Sequence, residues 1–145
     1  MAHVAKFYGK FLLSLANKEI NLNTDTFKVM LCSSLYVPDQ DAHQYKSSVT
    51  NEISGTGYTA GGQTVSPLTI TYNAATNQLV IDCPDAQWAS ASFTARVAVL
   101  YDATPASDST RPLIGYILFD SDIPVTSSTF TVQWDSTGVA TLTAA

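Results

Sequence analysis

The stretch Asn51-Glu52-Ile53-Ser54-Gly55-Thr56-Gly57-Tyr58-Thr59-Ala60-Gly61-Gly62-Gln63-Thr64-Val65 holds four of the chain's seven glycines. Glycine takes positive φ without steric penalty, so this density means a backbone bent into shapes that other residues resist. Two kinds of loop are built that way: a phosphate cradle, and a structural turn that feeds a strand. A cradle needs G-x-x-x-x-G-K-[ST] opening a helix, so that backbone N–H groups and the lysine converge on phosphate. Gly57 and Gly62 keep that separation, but Gln63 stands in the lysine's place. The continuation Thr64-Val65-Ser66-Pro67-Leu68-Thr69-Ile70-Thr71 is a β-branched run that reads as strand. The loop is therefore architectural, the entry to a β-rich second half.

Downstream, Leu68-Thr69-Ile70-Thr71-Tyr72 and Gln78-Leu79-Val80-Ile81-Asp82-Cys83 flank Asn73-Ala74-Ala75-Thr76-Asn77, a hairpin with asparagine at both ends of its loop. Phe93, Ala95, Val97, Val99 and Tyr101 share one face of the next strand, with Thr94 and Arg96 opposite. Leu113-Ile114-Gly115-Tyr116-Ile117-Leu118-Phe119 is apolar on both faces and predicts a central strand. Phe130, Val132 and Trp134 alternate with Thr129, Thr131 and Gln133 in a further, half-exposed strand, and Val139-Ala140-Thr141-Leu142-Thr143 is the last. About seven strands at short intervals with polar turns are the sequence form of an antiparallel sandwich or barrel.

Upstream, Val4, Phe7, Tyr8, Phe11, Leu12 and Leu15 fall at helical spacing, with Lys6, Lys10 and Ser14 off the stripe. An N-terminal helical segment within residues 1–20 is expected, packed over the edge or end of a sheet. Phe27-Lys28-Val29-Met30-Leu31-Cys32 alternates like a strand. Residues 33–62 then form an irregular stretch of a length uncommon inside compact domains, with short helical turns between residues 41 and 51. The expected whole is mainly β: one antiparallel β-sandwich domain, 1–145, with one N-terminal α-helix and a long irregular loop.

At 145 residues and 15.5 kDa the chain is long enough to bury roughly two-thirds of its unfolded surface. Hydrophobic residues make up 46% and charged residues 13%, which opposes disorder and leaves a surface of Ser, Thr, Asn and Gln. Such a surface can be covered by neighbouring subunits without desolvating many charges. A net charge of −5 with seven scattered Lys and Arg argues against nucleic acid as a partner. No apolar run approaches the length of a membrane span, and Met1-Ala2-His3-Val4-Ala5-Lys6-Phe7 lacks the layout of a secretory signal. The expectation is synthesis in a cytoplasm, with Cys32 and Cys83 as two buried free thiols in preference to a disulfide.

Groups that could carry chemistry are few. Asp39-x-Asp41-x-His43 could offer three metal ligands, but it lacks the glycine and distal glutamate of a calcium loop and reads as solvated surface. Asp120-Ser121-Asp122 has the same reading, at a place where a strand gives way to a turn. His3 and His43 are the only histidines, and no G-x-S-x-G serves either of them. Glu52 and the aspartates are no evidence for a glycosidase pair by themselves. Trp88, Trp134, Tyr36, Tyr45, Tyr58 and Tyr72 could form an aromatic platform for a sugar or a protein, although core packing accounts for the tryptophans. No catalytic, cofactor-binding or metal-binding residue is assigned.

The string Asn51-Glu52-Ile53-Ser54-Gly55-Thr56-Gly57-Tyr58-Thr59-Ala60-Gly61-Gly62 resembles a pattern of small structural proteins of tailed bacteriophages. There too it follows a helix-like start, a strand like Phe27-Lys28-Val29-Met30-Leu31 and a loop like Pro38-Asp39-Gln40-Asp41-Ala42-His43. The resemblance covers roughly the first half of the chain; the second half is similar only in its β character. The family is that of the capsid decoration, or cement, proteins with a jelly-roll-like β-sandwich. It implies a non-enzymatic virion protein on the outer capsid surface, bridging subunits of the major capsid protein and associating as a homo-oligomer. A tail or head–tail connector subunit fits the same motif, and a carbohydrate-binding or receptor-binding module fits the same fold.

Overall fold

Strand alternation and turn residues together produce, among the described residues, eight strands, one short helix and one 3₁₀ turn. The computed structural model of the chain describes residues 3–144, so Met1, Ala2 and Ala145 of the expected domain lie outside the described residues. In order the elements are β1 (Val4–Phe7), α1 (Lys10–Ala16), β2 (Phe27–Cys32), the 3₁₀ turn Lys46–Ser48, β3 (Gln63–Thr64), β4 (Thr69–Asn73), β5 (Gln78–Asp82), β6 (Ala86–Asp102), β7 (Leu113–Val132) and β8 (Ala140–Thr143). All pairings are antiparallel. The strands form a five-stranded sheet, β1-β7-β6-β2-β3, and a three-stranded sheet, β4-β5-β8. The architecture is mainly β and sandwich-like, with one helix near the N-terminus.

The five-stranded sheet is covered on both faces, which explains the shortage of polar alternation in its central strands. On one face Phe27, Val29, Leu31, Trp88, Phe93 and Phe130 pack in a cluster with Ile81 of the small sheet and Phe11 of the helix. On the other, Met30, Cys32, Val97, Val99 and Tyr101 pack with Tyr8, and with Tyr36 from the segment after β2. Successive residues of β2 therefore serve two cores. Burying one such side chain contributes about 2 kcal/mol, so both layers matter to stability.

Five sequence expectations change. Val4–Phe7 is an edge strand, with Val4 opposite Leu118 and Phe7 opposite Gly115, so the helix is confined to Lys10–Ala16. The apolar positions 4, 7 and 8 fit helical spacing by coincidence; ladder hydrogen bonds to β7 win. The helix is also rotated from the expected stripe, because Ser14 is buried while Leu12 is half-exposed. The run after Gly62 breaks at Ser66-Pro67, leaving only the two residues of β3 before β4. Phe93 to Tyr101 does not present a single face: a register shift between Ala95 and Val97 sends Ala95, Ala98 and Leu100 to one cluster and Val97, Val99 and Tyr101 to the other. Finally, the two strands expected around Leu113 and Phe130 are one strand, β7, of 20 residues. It contains Asp120-Ser121-Asp122 and ends before Trp134, whose backbone N–H donates to Asp85 Oδ1 at 3.0 Å and whose Nε1–H donates to the Pro84 carbonyl at 3.0 Å.

Candidate interaction surface

Residues 33–62 have a shape fixed largely by hydrogen bonds to the sheet. Ser33 N–H donates to the Asn51 carbonyl at 3.0 Å and Ile53 N–H to the Leu31 carbonyl at 3.0 Å, so the loop completes the outer side of β2 where β3 stops. Isolated bridges join Cys32 to Glu52, Tyr45 to Pro112 and Thr56 to Ser92. The glycines permit this fit. Gly62 has φ +81°, and a Cβ there would collide with the Val29 carbonyl. Gly57 has φ +79°, and its Cβ would stand 2.8 Å from the Ala89 carbonyl oxygen.

One carboxylate organises the glycine-rich part. Glu52 Oε1 accepts the Tyr58 hydroxyl at 2.7 Å and the Gly61 N–H at 2.6 Å, and the Tyr58 hydroxyl accepts the Leu31 N–H at 3.0 Å. The Tyr58 ring is stacked on Trp88, with centroids 6.1 Å apart, which ties the loop to the core. Burial first, and the Glu52 carboxylate after it, push the Tyr58 hydroxyl far above its ordinary pKa, so it stays a donor.

The Asp39, Asp41 and His43 group is a turn. Asp39 Oδ1 accepts the N–H groups of Asp41 at 3.0 Å and Ala42 at 2.9 Å, and these bonds hold its carboxyl below the usual range. His43 Nδ1 accepts the Asp39 N–H at 3.3 Å, so the Tyr36 hydroxyl, 3.0 Å away, donates to the same nitrogen. The Tyr36 oxygen lies 2.8 Å from the Tyr8 hydroxyl. Burial raises both tyrosines, Tyr36 to about 12. Among the described residues no three His, Cys, Asp or Glu side chains are grouped to hold a metal ion.

The remaining candidates are dispersed. His3 Nδ1 lies 3.5 Å from Asp120 Oδ1, and its ring meets Phe119 edge-on. Asp122 pairs with Arg96 at 3.4 Å. Trp88, Tyr36 and Tyr58 are spent inside the structure, Tyr45 donates to Glu19 Oε2 at 3.1 Å, and Tyr72 stands exposed on β4. The six aromatic residues thus form no common platform. Cys32 and Cys83 are buried free thiols, each pushed up to about 12 chiefly by burial.

Two concavities among the described residues bear on binding. A half-open apolar one of about 130 Å³ is lined by Phe7, Leu100, Ile114, Ile117, Trp134 and Val139. A charged one of about 540 Å³ is lined by Lys28, Lys46, Glu52, Tyr101, Asp108 and Arg111. In the second, Asp108 binds Lys46 and Arg111, each at 2.9 Å, and Lys46 first among them keeps its carboxyl below the usual range. The charges there largely neutralise one another.

On a mostly polar surface the fold leaves a few large apolar side chains exposed. Leu35 and Val37 are each 76% exposed on either side of the buried Tyr36, and Leu12 and Leu13 are about half exposed on α1. The segments that carry them are joined, since Gly9 N–H donates to the Gln40 carbonyl at 2.8 Å and Lys10 Nζ to the Ala42 carbonyl at 3.1 Å. Leu35 and Val37 belong to the irregular stretch 33–62, and sequence reading did not distinguish them from Tyr36. Their alternation within a short loop was the available signal. No helix among the described residues is long and apolar enough to cross a membrane.

No protein-family model, no curated protein and no solved structure matches this chain.

Proposed function

We propose that this chain is a non-enzymatic structural protein of a tailed-phage virion that decorates the outer capsid surface and bridges subunits of the major capsid protein. The observation that carries this reading is the pair Leu35 and Val37. They are large apolar side chains held out from a loop whose backbone is tied to the sheet. Exposed apolar groups on a pre-organised segment bind a partner with little ordering cost. The phage-like motif of residues 51–62 supplies the choice of partner. Made in the bacterial cytoplasm, the protein would be carried on the virion in many copies, each weak contact multiplied over the shell. Pairing between copies through free strand edges, such as the outer side of β1, would give the homo-oligomer.

Co-sedimentation with isolated expanded heads tests the reading. Wild-type protein should pellet with heads and saturate, and Leu35→Ser with Val37→Ser should lose most of that binding while remaining folded. Wild-type protein left entirely in the supernatant would overturn the proposal.

A further inference from the structure

Asp102 is fully buried at the end of β6. Its Oδ1 accepts the Thr104 N–H at 2.9 Å, whereas Oδ2 is enclosed and receives no donor from any described residue. The register sets Phe27 opposite Asp102, and Ala103 N–H donates to the Thr26 carbonyl at 2.8 Å. That pairing brings Asp25 against the Asp102 carboxyl. Asp25 is itself held in place, since its Oδ2 accepts the Asn21 N–H at 2.6 Å and its carbonyl accepts the Ser66 hydroxyl at 3.4 Å. A buried carboxylate oxygen without a donor is costly, and two touching carboxylates cannot both ionise cheaply.

We propose that Asp25 and Asp102 share one proton, and that this proton latches the turn before β2 and the loop at residues 103–112 to the end of the sheet. The proton sits on Asp102 Oδ2 and is donated to a carboxylate oxygen of Asp25, which supplies the partner that Oδ2 otherwise lacks. Burial, then the neighbouring Asp25, push the Asp102 carboxyl up to about 7. The other charged groups nearby, Lys28, Lys46, Glu52, Asp108 and Arg111, line the adjoining cleft, whose wall includes Thr26 and Thr104, and Glu52 is engaged by Tyr58 and Gly61. Lys46, Asp108 and Arg111 are engaged with one another. Because the folded-state value lies above the ordinary 3.8, the latch contributes fully below about pH 4 and is lost as pH rises through about 7. The two segments are then pushed apart by like charge. The latch is independent of what the protein binds.

Thermal unfolding of the full chain between about pH 4 and pH 8, with infrared spectra of the carboxyl groups, tests this. The wild-type midpoint should fall across that range. Asp102→Asn should flatten the fall, because an amide donates to Asp25 at every pH. A protonated-carboxyl band should persist in the wild type at about pH 6, where ordinary aspartates are ionised, and vanish in the variant. If Asp102→Asn does not fold, Asp25→Asn and the wild-type band report the same proton. An unchanged slope in the folded variants, or a missing band, would overturn the proposal. So would a calcium-dependent rise of the wild-type midpoint at about pH 8 that is absent from the variants, since a cation would then bridge the pair.

Discussion

The Tyr58 hydroxyl donates to Glu52 Oε1 at 2.7 Å while accepting the Leu31 N–H at 3.0 Å. One side chain thus joins the glycine-rich loop to the backbone of β2. Tyr58→Phe would leave the Leu31 N–H without its acceptor and Glu52 Oε1 with Gly61 as its remaining donor. Chemical denaturation should show a loss of about 1–2 kcal/mol, with an unchanged denaturant slope.

Gly62 should tolerate substitution less than the other loop positions. Alanine there meets both a positive φ of +81° and the Val29 carbonyl. Gly62→Ala is expected to cost about 2 kcal/mol or more. Gly61→Ala, where a Cβ stands 3.4 Å from the Tyr101 hydroxyl oxygen, should cost less, since its φ of +92° is the main penalty. Paired melting curves of the two variants check this order.

The thiols give a reading of integrity. Cys32 and Cys83 are buried, and each is pushed up to about 12, so little thiolate forms at neutral pH. An alkylating reagent followed by mass spectrometry should leave both unmodified in the folded chain. Both should react together when the protein is unfolded in denaturant.

Much of this fold was legible in local pattern. Phe27 to Cys32 alternates and forms β2; the asparagine-flanked loop between residues 73 and 78 forms its hairpin, with Asn73 Oδ1 accepting the Ala75 N–H at 3.0 Å. Where apolar spacing fits two periods, as at Val4, Phe7 and Tyr8, sequence alone favoured the helix, and only the partner strand Gly115 to Leu118 decides for an edge strand. The exposed middle of β7 hid its continuity, because a polar stretch such as Asp120 to Asp122 resembles a turn when no partner strand is in view. The bulge after Ala95 carries no special residue, so the exchange of faces was invisible. Among polar groups, Asp39 could be read in its loop, but Asp102 beside Asp25 arises from strand pairing far along the chain and left no local trace.

Leu35 and Val37 should contribute to contact and little to folding. Each is 76% exposed, so Leu35→Ser and Val37→Ser should each change unfolding free energy by no more than about 0.5 kcal/mol. Denaturation curves of the two variants beside wild type check this.

Cryo-electron microscopy of expanded heads incubated with the purified protein tests the central claim most directly. The account predicts density for the β body repeated over the outer shell, at a fixed number per capsid, with the Leu35–Val37 loop against the major capsid protein. Bare shells, or copies confined to a ring at one vertex, would contradict it.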